Sequence, residues 1–255
     1  MSWSPSQYLK FVNARTRPAI DLLKQIDASD PSIVYDLGCG AGNITLLLEQ
    51  RWPHARIIGV DDSQEMLAQA ATRSDRIEWS LQSVASWNAS PPADVIFSNA
   101  TLHWIPQHEI LLPRLASQLR PNGTLAVQMP RNFAAPSHTL IAETVLQGPW
   151  RRKLEPLLVP NPVSTPQEYF AILQNQAESL DIWETEYLHV LEGKDPVKEW
   201  TKGTWLKRFL DALDEPERSE FENRYAERIR SAYPPLADGR TLFPFRRLFI
   251  LMRTK

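Results

Sequence analysis

The sequence predicts an α/β fold, a doubly wound, Rossmann-like sheet with a helical cap contributed by later parts of the chain. Three observations carry this. Short apolar runs alternate with amphipathic segments between residues 33 and 130, one of these runs ends in a glycine-rich turn that opens a helix, and the rhythm breaks after Pro130. Strands that alternate with helical segments at this spacing are parallel strands joined by crossover helices.

Residues 33–37 form a short apolar run, read as a buried strand, and "NITLLLEQ" (43–50) reads as a helix closed before Pro53. "ARIIGVD" (55–61) is a second strand. "SQEMLAQAATR" (63–73) opens with Ser63 as its N-cap and carries Met66, Leu67 and Ala70 on one face. "RIEWSLQ" (76–82), "ADVIFSNA" (93–100) and "GTLAVQMP" (123–130) are strands, with "EILLPRLASQL" (109–119) as the helix before the last of them. Beyond Pro130, prolines at 136, 149, 156, 160, 162 and 166 punctuate helical pieces. "SLDIWETEYLHVL" (179–191) returns to strand character, residues 196–232 read as amphipathic helices, and "FRRLFILMR" (245–253) is a final strand. The expected organisation is a helical lid over 1–30, an α/β core over 31–130, a helical insertion over 131–178, a core strand over 179–192, a helical cap over 193–240 and a last core strand over 241–255.

Composition narrows the function classes. Hydrophobic residues make up 43% and charged residues 23% of the 255, which suits a packed core rather than disorder. The formal net charge of -2 and the scattered Lys and Arg give no footprint for nucleic acid. The single cysteine, Cys39, excludes an internal disulfide and argues against a cysteine-based zinc site. With no apolar run of membrane-spanning length and no secretory leader pattern at the start, a soluble cytoplasmic protein is expected.

The chemistry centres on "VYDLGCGAGN" (34–43). Gly38, Gly40 and Gly42 follow a strand and precede a helix, so a ligand can approach bare backbone there. Their G-x-G-x-G spacing differs from the G-x-G-x-x-G fingerprint that aims helix amides at a pyrophosphate. Asp36, two residues before Gly38, suits an ammonium group better than a diphosphate. Asp61 stands nineteen residues after Gly42, at the end of the second strand, where an acid can accept the hydroxyls of a ribose. A nucleoside with a cationic tail fits both acids, and S-adenosylmethionine is such a ligand. A tight turn followed by an unrelated strand-end acid is the plainer alternative.

"VYDLGCGAGN", "IIGVDDS", "DVIFSNATLHW" and "LRPNGTLAVQMP" resemble the successive motifs of class I S-adenosylmethionine-dependent methyltransferases. A nearer resemblance, to the trans-aconitate 2-methyltransferases, runs almost the whole chain. It rests on Trp3, Pro5, Tyr8, Leu9 and Phe11, on Arg15 to Ala19, and on "NATLHWIPQH" (99–108), "LAVQMPRN" (125–132), "DIWETEYLH" (181–189) and "RLFI" (247–250). The resemblance implies a seven-stranded sheet whose last strand is antiparallel and inserted beside the 181–191 strand. It implies cofactor contacts from Gly38, Gly40, Asp61 and Asp62, with Ser63 and Met66 near the adenine and the backbone of Asn99 and Ala100 facing the methionine part. Ser83 stands where the family commonly has an acid for the adenine amino group. The N-terminal segment around Trp3 and Tyr8 is expected either to fold over the cofactor or to be an ordinary amphipathic helix.

Methyl transfer to a carboxylate calls for alignment and not for a base, because the acceptor is already ionised at neutral pH. No catalytic dyad and no metal is therefore expected. A polycarboxylate needs cations, and the candidates are Arg15, Arg17, Arg131, Lys207, Arg246 and Arg247, each of which also suits a solvated surface role. Gln128 and Trp200 are candidates to line the same space. His103 and Trp104 are placed in or beside the site, His103 as a base or a structural residue, Trp104 as a wall. Three other readings remain: a methyltransferase for a hydroxyl or amine acceptor, which would want His103 as base; a nicotinamide-dependent oxidoreductase; and a non-enzymatic cofactor binder.

Overall fold

The computed structural model of the chain describes residues 12–255. Helix α1 (Val12–Gln25) leads into β1 (Ile33–Leu37), α2 (Thr45–Arg51), β2 (Arg56–Asp61), α3 (Gln64–Ala71), β3 (Glu78–Leu81) and β4 (Ala93–Asn99). A short 3-10 turn (Leu102–Trp104), α4 (His108–Ala116) and β5 (Leu119–Pro130) follow. The remainder holds α5 (Pro136–Gln147), α6 (Arg151–Leu154), α7 (Pro166–Leu173), β6 (Ala177–Leu191), α8 (Pro196–Lys202), α9 (Lys207–Leu210), α10 (Glu217–Ala232) and β7 (Thr241–Thr254). The strands form one seven-stranded sheet in the order β3-β2-β1-β4-β5-β7-β6, and β7 runs antiparallel to β5. This is the expected topology, with the last strand inserted beside the 181–191 strand.

Several boundaries shift. The helix expected from residue 43 starts at Thr45, because the glycine turn continues through Ile44. The helix expected to reach residue 119 stops at Ala116, because Leu119 already pairs with Ala93 as the first residue of β5. Pairing with a neighbour decided both the end of that helix and the extra length of the strand.

The chain divides into two compact units. The sheet unit holds residues 16–130, 162–185 and 247–255. Its central parallel strands are buried on both faces, and Val34, Leu37, Val60, Val95, Ile96 and Phe97 are wholly inaccessible. Helix α1 buries Ala19, Leu22 and Leu23, and the Arg51 guanidinium donates to the carbonyls of Leu23 and Ile26 around its C-terminal end. Ser63 caps α3 as expected, its hydroxyl accepting from the Met66 amide at 3.3 Å. In β5 and β7, Gln128 pairs with Phe249 and Pro130 with Arg247. Side chains alternate between faces along a strand, so Arg247 shares a face with Phe249 and Gln128.

The helical unit holds residues 12–15, 131–161 and 186–246 of the described chain. Its own core gathers Trp150, Trp200, Phe209, Phe221, Tyr225 and Phe243, contributed by helices and by the 186–191 and 241–246 strand segments. Trp150 meets Phe221 edge to face at 5.1 Å, and the Tyr225 hydroxyl donates to the Ser137 carbonyl at 2.8 Å.

Candidate functional site

The strand order reverses between β1 and β4, the place where open α/β sheets bind ligands beyond their carboxyl ends. The glycine loop lies there. Gly38, Gly40 and Gly42 have φ of 76°, 54° and 77°. They are glycines for different reasons. A Cβ on Gly38 would lie 2.1 Å from Thr101 Oγ1, and one on Gly42 would lie 2.7 Å from Trp79 Cη2. At Gly40 nothing lies within 4 Å of that position, so its backbone faces open space beside a tight turn. That space is open to a ligand.

The loop is tied to β2 from both ends. The amides of Gly38 and Cys39 donate to the Val60 carbonyl at 2.8 and 3.1 Å. Asp61 Oδ2 accepts from the Gly40 amide at 2.8 Å, and Oδ1 accepts from the Ser63 amide at 2.9 Å. The structure thus joins the two residues that the spacing singled out. Each oxygen of Asp61 retains a further acceptor position, so the carboxylate can still take the hydroxyls of a sugar. Asp62 beside it is exposed, and Met66 is buried under the start of α3.

Asp36 lies at the floor of the loop, only 2% exposed, with the Thr45 hydroxyl donating to Oδ2 at 2.7 Å. Burial drives its pKa up to about 7; the Thr45 hydrogen bond opposes this and the charge of Asp61 adds to it. A cation bound at the loop would favour its ionised form. Ser83 is exposed after β3, with its carbonyl accepting from the Ser86 amide at 3.1 Å.

A second polar group lies at the ends of β4, β5 and β7. Asn99 and Gln128 are register partners, and Gln128 is wholly buried. Among the described residues, Asn99 Oδ1 and Gln128 Nε2 have no hydrogen-bond partner. Arg247, 5% exposed, directs Nη1 at Gln128 Oε1 over 3.5 Å. On the far side of Phe249, Trp183 stacks with centroids 4.8 Å apart.

The turn after β4 is held by buried hydrogen bonds. Ala100, at φ 54°, donates to the Gln128 carbonyl at 2.9 Å, and Ser98 Oγ donates to the Leu37 carbonyl at 2.9 Å. His108 Nε2 lies 2.9 Å from the Leu102 carbonyl and Nδ1 lies 2.6 Å from the Tyr169 hydroxyl. The carbonyl can only accept, so Nε2 carries the proton and Tyr169 donates to Nδ1. This fixes the 3-10 turn that bears His103, which is buried, and Trp104, which is 38% exposed. Their rings are 4.6 Å apart.

The other candidates fall elsewhere. Arg17 is exposed on α1 and pairs with Asp21 at 3.6 Å. Arg131 begins the helical unit, where its amide donates to the Arg246 carbonyl at 2.9 Å. Trp200 is buried in that unit's core, stacked on His189 at 4.7 Å. A cavity of about 490 Å³ in the helical unit, lined by Asp195, Val197, Ile229, Arg230 and Tyr233 among others, holds none of the sequence-predicted site residues. Trp3 and Tyr8 lie outside the described residues. Among the described residues, no group of three or more His, Cys, Asp or Glu is placed to hold a metal ion.

Sequence reasoning missed three supporting residues: Thr45 on Asp36, Thr101 against Gly38 and Trp79 against Gly42 and Gly59. A hydroxyl nine residues after the acid and an aromatic on the neighbouring strand carry no local pattern, so only the fold reveals them.

Residues 34–123 match a family model described as a methyltransferase domain. A trans-aconitate 2-methyltransferase of Azoarcus sp. is 44% identical over 250 residues, covering 98% of this chain and 98% of that relative. One from Methylobacterium nodulans is 46% identical, again with 98% of each chain covered. One from Streptomyces avermitilis is 43% identical, covering 97% of this chain and 95% of its own. In fold, the chain is similar to the YcgJ protein of Bacillus subtilis, with a TM-score of 0.60 at 16% identity over 94% of this chain and 99% of that one. It is also similar to a phosphoethanolamine N-methyltransferase of Haemonchus contortus in complex with S-adenosylhomocysteine, with a TM-score of 0.55 at 14% identity over 94% of this chain and 53% of that one.

Proposed function

The chain belongs to the trans-aconitate 2-methyltransferase family, and from that premise we infer that it transfers a methyl group from S-adenosylmethionine to a carboxylate of trans-aconitate. The products are a monomethyl ester and S-adenosylhomocysteine. The observation that carries this is likeness over nearly the full length of both chains, at 44% identity, rather than over the cofactor motifs alone.

The residues present fit the cofactor. Gly40 offers an open backbone cradle, Asp61 keeps acceptor capacity for ribose hydroxyls, and Asp36 sits below as an acid that a cation would hold ionised. Asp62 and Met66 are proposed to border the adenine, with Ser83 as a neutral contact in place of an acid. Asn99 is proposed to face the methionine part, with Gly38 shaping the turn.

When bound, the cofactor supplies an activated methyl group on a sulfonium. The chain's residues supply alignment and exclusion of water. Alignment alone can lower such a barrier by about 7 kcal/mol or more. The acceptor carboxylate is ionised at pH 7, so no side chain has to remove a proton. We assign Gln128 and Arg247 to the acceptor's carboxylates and His103 and Trp104 to the wall, with Arg17, Arg131 and Trp200 as candidates for mutation. A small acid rather than a nucleic acid is supported by the net charge of -2. Among the described residues no helix is long and apolar enough to cross a membrane. A cytoplasmic location is our reading, supported by the single cysteine.

The test is incorporation of label from S-adenosylmethionine into trans-aconitate, beside cis-aconitate, citrate, isocitrate and no acceptor. Base-labile methyl ester formed with trans-aconitate in preference to the others is expected. Cofactor binding without transfer to any of these acids would overturn the assigned substrate.

A further inference from the structure

We propose that Thr101 is a positioning residue for the cofactor: its hydroxyl holds the Gly38 and Asn99 carbonyls toward one point, so that together they receive the ammonium of the methionine part. This rests on the cofactor reading above and is independent of the acceptor.

The β1–β4 ladder ends at the pair Asp36 and Phe97, short of the crevice where the strand order reverses. Past it, two hydroxyls bridge the diverging segments. Ser98 Oγ donates to the Leu37 carbonyl at 2.9 Å. Thr101 Oγ1 donates to the Gly38 carbonyl and to the Asn99 carbonyl, each at 3.2 Å. Ser98 is wholly buried, whereas Gly38, Asn99, Ala100 and Thr101 are half-buried. Of the two bridges, the one made by Thr101 is where a ligand can reach.

A hydroxyl carries one proton. Two acceptors at equal distances share it, which is why both contacts are longer than an ordinary O–H···O bond. A carbonyl has two acceptor positions, so a half-share in this proton leaves each oxygen able to take a second donor. An ammonium has three donors and a charge, and it suits two oxygens drawn to a common point. Without the hydroxyl proton, two oxygens of like partial charge are no longer held together.

The contact with Asn99, two residues back, is one that a threonine in a turn commonly makes. The contact with Gly38 spans 63 positions of chain and is not local. The backbone is bent to make it. Ala100 takes φ 54°, a conformation uncommon for a residue with a side chain, and its amide is held by the Gln128 carbonyl at 2.9 Å. On the other side, the Thr101 carbonyl accepts from the Trp104 amide at 3.0 Å. The Thr101 side chain thereby lies against the bare Cα of Gly38, where a Cβ would meet Oγ1 at 2.1 Å.

The discriminating variants are T101V, which keeps the shape and removes the donor, and T101S, which keeps the donor. T101A, which also removes the donor, is read in the same way should T101V not fold. Each is compared with wild type by urea unfolding and by calorimetry with two ligands. S-adenosylhomocysteine carries the ammonium; methylthioadenosine has the same nucleoside and no amino-acid part, and its affinity is read by competition. T101V is expected to weaken S-adenosylhomocysteine binding by about tenfold and methylthioadenosine binding by less than about threefold. T101S is expected to stay within about threefold of wild type for both. A merely structural role would weaken the two ligands alike.

Equal losses for the two ligands in T101V, no loss for S-adenosylhomocysteine, or T101S as poor as T101V each overturn the proposal. So does wild type that binds methylthioadenosine as tightly as S-adenosylhomocysteine, because the ammonium would then contribute nothing, although the nucleoside part of the cofactor reading would stand. Wild type that binds neither ligand overturns the cofactor reading and the proposal with it.

Discussion

Asp36→Asn probes the electrostatics of the loop floor and carries a sign that can be worked out. In the folded protein Asp36 keeps its proton up to about pH 7, against an ordinary value of 3.8 in the unfolded chain, first because it is buried. Between those values the folded state binds the extra proton. Stability is therefore highest in acid with respect to this group, falls as the pH rises from about 4 to about 7, and is level above that. A shift of about three units corresponds to about 4 kcal/mol, of which about 3 kcal/mol lies between pH 5 and pH 8. Asparagine preserves the shape and an acceptor oxygen for the Thr45 hydroxyl and removes the titration. Urea unfolding of both proteins across this range, each extrapolated to water, cancels the other titrating groups in the difference. The expected result is that D36N gains about 3 kcal/mol on wild type in going from pH 5 to pH 8. Saturating S-adenosylhomocysteine, whose ammonium we propose to lie at the loop, is expected to shrink the wild-type slope. A difference between the two proteins that stays constant with pH would refute the account of Asp36 as a buried, late-ionising acid.

The glycines of the loop separate in the same assays. Gly40→Ala meets open space and only the backbone penalty at φ 54°, about 1 kcal/mol, yet is expected to weaken S-adenosylmethionine binding by more than about tenfold in a calorimeter. Gly38→Ala collides with Thr101 and is expected to cost about 3 kcal/mol or more, with T101G recovering part of the loss in a double-mutant cycle. Tyr169→Phe removes the donor to His108 and is expected to cost about 1–3 kcal/mol in urea unfolding and to raise the mobility of the Leu102–Trp104 turn, read as faster amide exchange. Ser63→Ala loses the N-cap of α3 and is expected to cost about 1 kcal/mol.

What could be read in the chain and what could not divide along the range of the interactions. Ser63 was recognisable as a cap because capping is settled within four residues. The glycine loop and Asp61 were recognisable because a strand, a tight turn, a helix and a strand-end acid follow one another in order, and the structure joins Gly40 to Asp61 directly. The antiparallel last strand came from the family resemblance, since an alternating apolar run does not state its direction or its neighbours. Leu119 reads as helix until its pairing with Ala93 is known.

The site shows the same division. Local sequence by itself determined the parallel α/β core, the loop and the acid that braces it, because backbone geometry and hydrophobic periodicity are properties of short stretches. Only the tertiary structure decided that Thr45 would hold Asp36, that Thr101 would require a glycine at 38, and that Arg247 would meet Gln128 across 119 positions of chain. Those contacts depend on strand register and burial. Register is set by the packing of whole faces, and burial turns an ordinary acid, amide or guanidinium into a group with a fixed orientation or a shifted charge.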